Sequence, residues 1–293
     1  MKSSLPIFLA VFVALGASFG GFVFGSISQL GTAKQTLVLN STETYPVQRT
    51  GNATLGLQVY RANGCAACHT EQVRQEGAAC ELVLMGAGKK PDAVAEVLKE
   101  IAPAGGEFST NDLPKTLLRG VTKETADVAA DKISTAGGKA EIHISAVGSD
   151  ISRGWGIRRS VAADYLWDYP VQLGNLRAGP DLANVGVRLA DAGIQLRHLY
   201  APRSTVEKSA MPPFHFLFET RKIGATPSPD ALPLTGTFAP PAGYEVVPTE
   251  DAKNLVAYLL SLRADVPLYE APFTTAGPAA TPTNAPVAAA EPK

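Results

Sequence analysis

Residues that ligate metals or form disulfides are scarce in this sequence, which has three cysteines, three methionines and four histidines among 293 residues. Two of the cysteines fall within one run of five residues, so a disulfide framework is excluded as the basis of the fold. Neither sign of charge is in excess, with 26 basic and 27 acidic residues, and this balance gives no indication of nucleic-acid binding. The length and an apolar content of 45% predict one sizeable or two small globular units.

Charged residues are also missing from the N-terminal region, where none occurs between Lys2 and Lys34. The apolar run from residue 5 to residue 30 is long enough to cross a hydrocarbon layer of roughly 30 Å. A cleaved secretory signal is the alternative, but its apolar stretch is normally only about 7–15 residues long. We therefore predict a retained transmembrane anchor and its flank at residues 1–33. Lys2 is the only charge before the run and favours a cytoplasmic N-terminus with the body exported.

The strongest motif is Cys65-Ala66-Ala67-Cys68-His69, which has the Cys-x-x-Cys-His spacing of a covalent haem c site. Two thiols must reach the two vinyl groups of one porphyrin, and the next residue must place an imidazole on the iron. We predict one haem c bonded to Cys65 and Cys68 and ligated by His69. A dithiol redox pair followed by an unrelated histidine is the alternative. Covalent haem attachment is completed outside the cytoplasmic membrane, which independently favours a periplasmic haem domain on a single-pass inner-membrane anchor.

A second axial ligand has few candidates. Met211 precedes Pro212 and Pro213, which stiffen a loop and remove backbone donors, so this loop would hold a thioether at a fixed distance. We predict that His69 and Met211 are the two metal ligands, a pair that suits a high reduction potential. The other candidates are Met85, His143, His198 and His215.

Composition and periodicity divide the rest of the chain. Residues 34–50 are polar and predict a linker, and residues 273–293 are mainly Ala, Pro and Thr and predict a disordered tail. The haem domain is predicted to comprise residues 51–78 and 146–272. Its first helix should cover residues 52–63 and end at Gly64, and its last helix should begin after an N-cap at Thr249, with the two helices crossing at Gly56.

Residues 79–145 are predicted to form an inserted α/β module. A short apolar strand at 81–84 is followed by helical spacing at 94–101, by a helix after Thr122 and by an alternating strand at 140–144. Cys80 is predicted to be a buried thiol in the first strand. The runs 81–90, 120–124 and 136–141 resemble the C-terminal domain of the bacterial ribosomal stalk protein. That family's lysine-rich helix turn is replaced here by residues 102–112, so the resemblance implies the fold and not the activity.

The segment Arg177-Ala178-Gly179-Pro180-Asp181-Leu182 resembles a Gly-Pro-x-Leu segment of class I cytochromes c. The resemblance implies that the carbonyl of Pro180 accepts a hydrogen bond from the haem histidine and orients it, whereas an ordinary turn is the alternative. It also implies a mainly α fold: a class I cytochrome c fold behind one N-terminal transmembrane helix, interrupted by the α/β module. Arg177, like Arg153, Arg158 and Arg159, is a candidate for haem propionates or for partner docking, with solvated surface charge as the alternative.

A wider resemblance is to the membrane-anchored monohaem subunit II, FixO or CcoO, of cbb3-type cytochrome c oxidases. The residues that carry it are 164–170, Gln172, Gly174, Arg177, 179–182, 185–186, Arg188, 198–199, 202–203 and 211–212, with 72–74 after the haem motif. It implies that electrons pass one at a time toward a haem-copper catalytic subunit, with other cytochrome c subunits as further partners. The inserted module and a shortened match at residues 152–163 depart from the family pattern.

The sequence is therefore compatible with three functions. The first is an electron-transfer subunit of a haem-copper oxidase, which is not an enzyme by itself. The second is a freestanding anchored cytochrome that serves another respiratory complex. The third is a haem-based sensor or assembly factor, which should have an open sixth position on its iron.

Overall fold

The structure, a computed structural model, describes residues 4–30, 34–101 and 113–271. In these ranges it is rich in helix, with nine α-helices and seven strands. The helices are α1 (Leu5–Leu30), α2 (Asn52–Ala62), α3 (Pro91–Ile101), α4 (Lys123–Thr135), α5 (Ser149–Ser152), α6 (Val185–Arg188), α7 (Ala192–Tyr200), α8 (Pro202–Thr205) and α9 (Glu250–Ser261). The strands are β1 (Thr36–Leu37), β2 (Thr44–Tyr45), β3 (Gly77–Gly86), β4 (Lys115–Val121), β5 (Lys139–Val147), β6 (Phe218–Lys222) and β7 (Tyr244–Pro248). The predicted tail at 273–293 and the helix turn at 102–112 lie outside the described residues.

The chain divides into two compact units, of which the first is Met1–Gln48 with Val161–Val171. Its helix α1 is long and apolar enough to cross a membrane: Leu5–Ser28 has a mean hydropathy of 2.3 and none of it is buried. The segment predicted as a linker contains the antiparallel pair β1–β2. The carbonyl oxygen of Pro46 accepts hydrogen bonds from Gln35 Nε2 and from Trp167 Nε1, both at 2.9 Å. The bond from Trp167 ties the segment to the second part of the same unit.

The second unit, Arg49–Ser160 with Gln172–Lys293, is built around the contact of α2 with α9. α2 begins at the predicted residue and ends one residue earlier than predicted, since Asn63 is its C-cap, and Gly64 has a left-handed φ of 64°. The predicted N-cap of α9 is also confirmed, because the Thr249 side chain accepts from the backbone N–H of Ala252. Apolar side chains of α2, α6, α7, β6, β7 and α9 form one buried cluster, the body core. Its fully buried members include Tyr60, Leu199, Val246, Leu255 and Tyr258.

The inserted elements of the second unit form a three-stranded antiparallel sheet in the order β4-β3-β5. Helices α3 and α4 pack on it through a separate buried cluster, with Leu82, Leu84, Val94 and Ile133 at its centre. The predicted strands and helices are present, and Thr122 caps α4 by accepting from the N–H of Thr125. β3 and β5 pair over longer stretches than the apolar runs predicted, because backbone pairing of β3 with β5 continues to Gly77 and Val147.

Hydrogen bonds join the two ends of the insertion where they meet the rest of the second unit. The backbone N–H of Glu76 donates to the carbonyl of Val147 at 2.9 Å. The carboxylate of Glu76 then accepts from the backbone N–H of Ser149 at 3.0 Å and from its hydroxyl at 2.6 Å. The entry and exit strands are therefore held side by side next to the segment that follows His69.

Candidate haem site

The thiols of Cys65 and Cys68 lie in one tight turn directly after α2. Left-handed Gly64 ends the helix, and residues Cys65–Ala67 form a single 3₁₀ turn. The backbone N–H groups of Cys68 and His69 both donate to the carbonyl of Cys65, at 3.1 and 3.0 Å. Both thiols are free, with Cys65 half-buried and Cys68 exposed. The turn therefore presents two sulfurs and an imidazole within five consecutive residues.

Cys65 is the more buried of the two thiols, and burial raises its pKa to about 11, with a further contribution from the carboxylate of Glu71. The free thiol is thus protonated at neutral pH, and a buried thiolate is avoided. Formation of a thioether would remove this titratable group altogether.

His69 is oriented by the segment that contains Pro180. Its Nδ1 lies 2.8 Å from the carbonyl oxygen of Pro180. A carbonyl only accepts, so Nδ1 carries the proton and Nε2 of the neutral ring has its lone pair free for a metal. The N–H of Gly179 also donates to the carbonyl of Cys68 at 2.9 Å. Burial lowers the pKa of His69, and the guanidinium of Arg188 lowers it further, which favours the neutral ring.

Gly179 lies against the face of this imidazole. A β-carbon built on Gly179 would be 2.3 Å from Cε1 and 2.7 Å from Nδ1 of His69. No side chain larger than hydrogen fits at this position unless the ring moves. The Gly-Pro pair therefore has two separate roles, since glycine provides the space for the ring and proline provides the acceptor.

Met211 lies in the irregular segment between α8 and β6. Its backbone N–H donates to Ser209 Oγ at 3.2 Å. Its side chain is half-buried and packs against the body core, as do Cys65, Leu182 and Phe214. The structure thus brings Met211 and Cys65 to the border of one apolar cluster.

Of the other candidate ligands, the three histidines have protein partners. His143 lies in β5 opposite Glu81 of β3, with Nε2 3.7 Å from the carboxylate of Glu141. Met85 lies in β3 of the module. Nδ1 of His198 is hydrogen-bonded to Thr205 Oγ1. The ring of His215 stacks on that of Tyr200 with centroids 4.5 Å apart.

Arg177 has a protein acceptor for each of its three guanidinium nitrogens. Nη1 donates to both carboxylate oxygens of Asp150, at 2.6 and 2.8 Å. Nε donates to Thr70 Oγ1 at 3.0 Å, and Nη2 donates to the carbonyl of Gln72 at 2.5 Å. This arrangement favours a positioning role for Arg177 over direct contact with a propionate.

The three remaining predicted arginines differ in their environments. Arg158 is 0% exposed, so it is not a solvated surface charge, and its Nε donates to the carbonyl of Val266 at 2.7 Å. Arg159 donates to the carbonyl of Glu270 at 2.8 Å. The guanidinium of Arg153 lies 5.0 Å from the centre of the Trp155 ring.

Sequence reasoning missed several buried polar residues around the motif. Glu71 is 4% exposed, and the Tyr258 hydroxyl lies 2.9 Å from each of its carboxylate oxygens. Asp150 and Asp181 are buried as well, at 2% and 0% exposure. Asp181 could have been suspected, because it follows Pro180 in the quoted segment. Glu71 and Asp150 carry no signal of burial in the sequence, since their partners are distant along the chain.

A comparison with known protein families finds a match over part of the chain. Residues 143–236 match a family described as "Cytochrome C oxidase, mono-heme subunit/FixO". This range includes Arg177, Pro180 and Met211, and it does not reach Cys65, Cys68 or His69. A search of curated proteins finds no match to the chain. The match therefore supports a likeness to this mono-haem subunit through one part of the candidate site, and the haem-binding motif comes from the other part.

Proposed function

We propose that the protein is a membrane-anchored c-type cytochrome that transfers single electrons through one covalent haem, as subunit II of a cbb3-type haem-copper oxidase. The observation that carries the proposal is the hydrogen bond from His69 Nδ1 to the carbonyl of Pro180. It joins the Cys-x-x-Cys-His motif to the range that matches the mono-haem oxidase subunit.

The residues present fit a covalent haem. Cys65 and Cys68 lie in one turn with free thiols, and His69 has its Nε2 lone pair available because Nδ1 is held by Pro180. When bound, the haem supplies an iron that alternates between the ferric and ferrous states. The chain fixes the tautomer and direction of the imidazole, and the body core excludes water from the buried side of the turn.

Met211 is the sulfur that we assign as the second axial ligand. It lies within the matched range, it borders the same cluster as Cys65, and two prolines follow it directly. A held thioether leaves no open position on the iron, which distinguishes a carrier from a gas sensor.

The finer description of the fold belongs to the same proposal. The crossing of α2 with α9, with α7 packed on α9, agrees with the arrangement expected of a class I cytochrome c domain. The β3-α3-β4-α4-β5 order of the insertion is compatible with the resemblance to the ribosomal stalk domain. The domain divisions at residues 51–78 with 146–272, and at 79–145, remain predictions.

The membrane assignment rests on α1. Its length and hydropathy suit a span, and Lys2 is the only charged residue before it. We place the N-terminus in the cytoplasm and the haem domain in the periplasm, next to a haem-copper catalytic subunit that reduces oxygen.

The test is purification of the protein from its native membrane in mild detergent, followed by mass spectrometry of the intact complex and of the denatured chain. We expect the denatured chain to retain the mass of one haem, and the complex to contain a haem-copper catalytic subunit. A chain without covalent haem would refute the cytochrome assignment. A haem-bearing chain that purifies without a catalytic subunit would favour the freestanding carrier.

A further inference from the structure

Beside the haem motif lies a buried group of charged and polar side chains, the Arg177 network, which consists of Thr70, Asp150, Arg177 and Asp181. Asp150 and Asp181 are 2% and 0% exposed, and Thr70 is 3% exposed. Arg177 binds Asp150 through two hydrogen bonds from Nη1 and lies 3.5 Å from Asp181 through Nη2. One nitrogen of Arg177 thus contacts both oxygens of Asp150 in a charge-assisted pair, and the Arg177 side chain is itself 19% exposed.

The network joins the two chain segments whose hydrogen bond orients the imidazole of His69. Thr70 follows His69 directly, and Asp181 follows Pro180 directly. The hydroxyl of Thr70 donates to Asp181 Oδ2 at 2.5 Å, and the backbone N–H of Gln72 donates to the same oxygen at 2.9 Å. The two segments that meet in the His69–Pro180 hydrogen bond are therefore joined a second time, one residue further along each segment.

The network also reaches the base of the inserted module. Asp150 lies three residues after the end of β5 at Val147. Its Oδ2 accepts from the backbone N–H of Arg74 at 2.7 Å. Asp150 thus joins the residues just before the insertion to the residues just after it. The same carboxylate accepts the hydrogen bonds from Arg177.

The formal charge of the network is −1, from two carboxylates and one guanidinium. The charged groups packed against it are Arg188, whose Nη2 donates to the carbonyl of Asp181 at 2.9 Å, and Arg153, which shares the Trp155 ring with Arg177. The effective dielectric constant inside a protein is low. A change in the network charge should therefore alter the electrostatic potential at the iron. Negative charge stabilises the ferric state, and positive charge stabilises the ferrous state.

We propose that the Arg177 network is a positioning and tuning element, in which Asp150 couples the inserted module to the haem ligand and the network charge sets the reduction potential. This inference rests on the proposed haem function. It gives a stated role to the junction at the base of the insertion, where Asp150 follows the last inserted strand and provides one carboxylate of the pair that holds Arg177.

The test measures the midpoint potential of the detergent-purified holoprotein and three variants. Asp150→Asn removes one negative charge and should shift the ferrous-to-ferric ratio at a fixed potential upward, on the order of fivefold. Arg177→Gln removes the positive charge and should shift the ratio downward by a similar factor. Arg177→Lys keeps the charge and should stay near the parent.

The opposite signs separate tuning from loosening of the fold, because a loosened haem pocket admits water and would shift all variants in the same direction. Asp127→Asn is the matched control, since Asp127 pairs with Lys123 on the exposed face of α4, with nearly half of its side chain accessible. Equal potentials in all variants, or shifts of one sign only, would overturn the proposal. Should Asp150→Asn fail to accumulate, Asp181→Asn removes the other carboxylate of the network and should shift the ratio upward in its place.

The presence of covalent haem distinguishes a failure of this inference from a failure of the proposed function. Covalent haem and the sulfur-to-iron charge-transfer band in the parent protein establish the cytochrome. Unchanged potentials in variants that retain both would reject only the network. A parent protein without covalent haem would reject the proposed function first.

Discussion

A β-carbon placed on Gly56 would lie 1.9 Å from the carbonyl oxygen of Asn254, so α2 and α9 touch backbone to backbone where they cross. The rings of Tyr60 and Tyr258 fill the neighbouring contact, with centroids 5.2 Å apart. Because Cys65 follows α2 after a single turn, this crossing fixes the position of the haem motif relative to the body core.

Gly56→Ala should therefore force the two helices apart. We expect the free energy of unfolding to fall by about 2 kcal/mol or more, as for other overpacked cores. The measurement is denaturant unfolding of the purified holoprotein. Gly224→Ala is the control, since a β-carbon there meets nothing within 4 Å, and equal losses in the two variants would contradict the close approach.

Gly179→Ala should act on the haem ligand more than on the fold. The added carbon would lie 2.3 Å from His69 Cε1, so the imidazole must tilt away from the Pro180 carbonyl. We expect a changed ferric spectrum and a weaker bond from His69 to the iron, measured by resonance Raman spectroscopy. A spectrum like that of the parent, as expected for Gly224→Ala, would show that the ring does not depend on this contact.

Met211→Ala should abolish the near-infrared band that arises from sulfur-to-iron charge transfer and should lower the reduction potential, since a thioether favours ferrous iron. Met85→Ala is the control, because Met85 lies in β3 of the module. A band that persists in Met211→Ala would remove Met211 from the ligand set and point to the sulfur of Met85, whereas a parent protein without the band would point to His198 or His215.

Local signals in the sequence predicted α2, α9 and most elements of the insertion, whereas the strands β4, β6 and β7 were not predicted. Thr122 and Thr249 are N-caps as expected, and Gly64 ends α2, because capping and left-handed turns depend on adjacent residues. The hydrogen bond from His69 to Pro180 was expected only through the family resemblance, since 111 residues separate the partners. Asp150 was missed because nothing near it in sequence shows that its carboxylate is buried against Arg177.

The proposed membrane anchor predicts how the protein fractionates. Its helix α1 carries no charged residue over Leu5–Leu30, so alkaline carbonate should leave the full-length chain in the membrane pellet. Replacement of residues 1–30 by a cleavable export signal should release a soluble haem protein into the periplasm. A native chain whose N-terminus begins beyond residue 30 would instead identify the segment as a cleaved signal.

His198 predicts an acid sensitivity that can be assigned to one side chain. Burial lowers the pKa of His198 below its ordinary 6.5, and the nearby His69 lowers it further. As the pH falls below 6.5, the unfolded chain takes up a proton on His198 while the folded protein still excludes it. The free energy of unfolding must therefore decrease with falling pH, until the pKa of the folded state is reached.

His198→Gln removes this proton uptake and retains a side chain that can bond to Thr205 Oγ1. We expect the variant to lose less stability than the parent between about pH 7.5 and about pH 5.5, measured by denaturant unfolding of the holoprotein. His143→Gln is the control, because it replaces another imidazole, which lies in β5 of the module and not in α7. If the His198→Gln curve ran parallel to that of the parent over this interval, His198 would have to be protonated in the folded protein. The side chain of His198 would then be more accessible to water than its burial indicates.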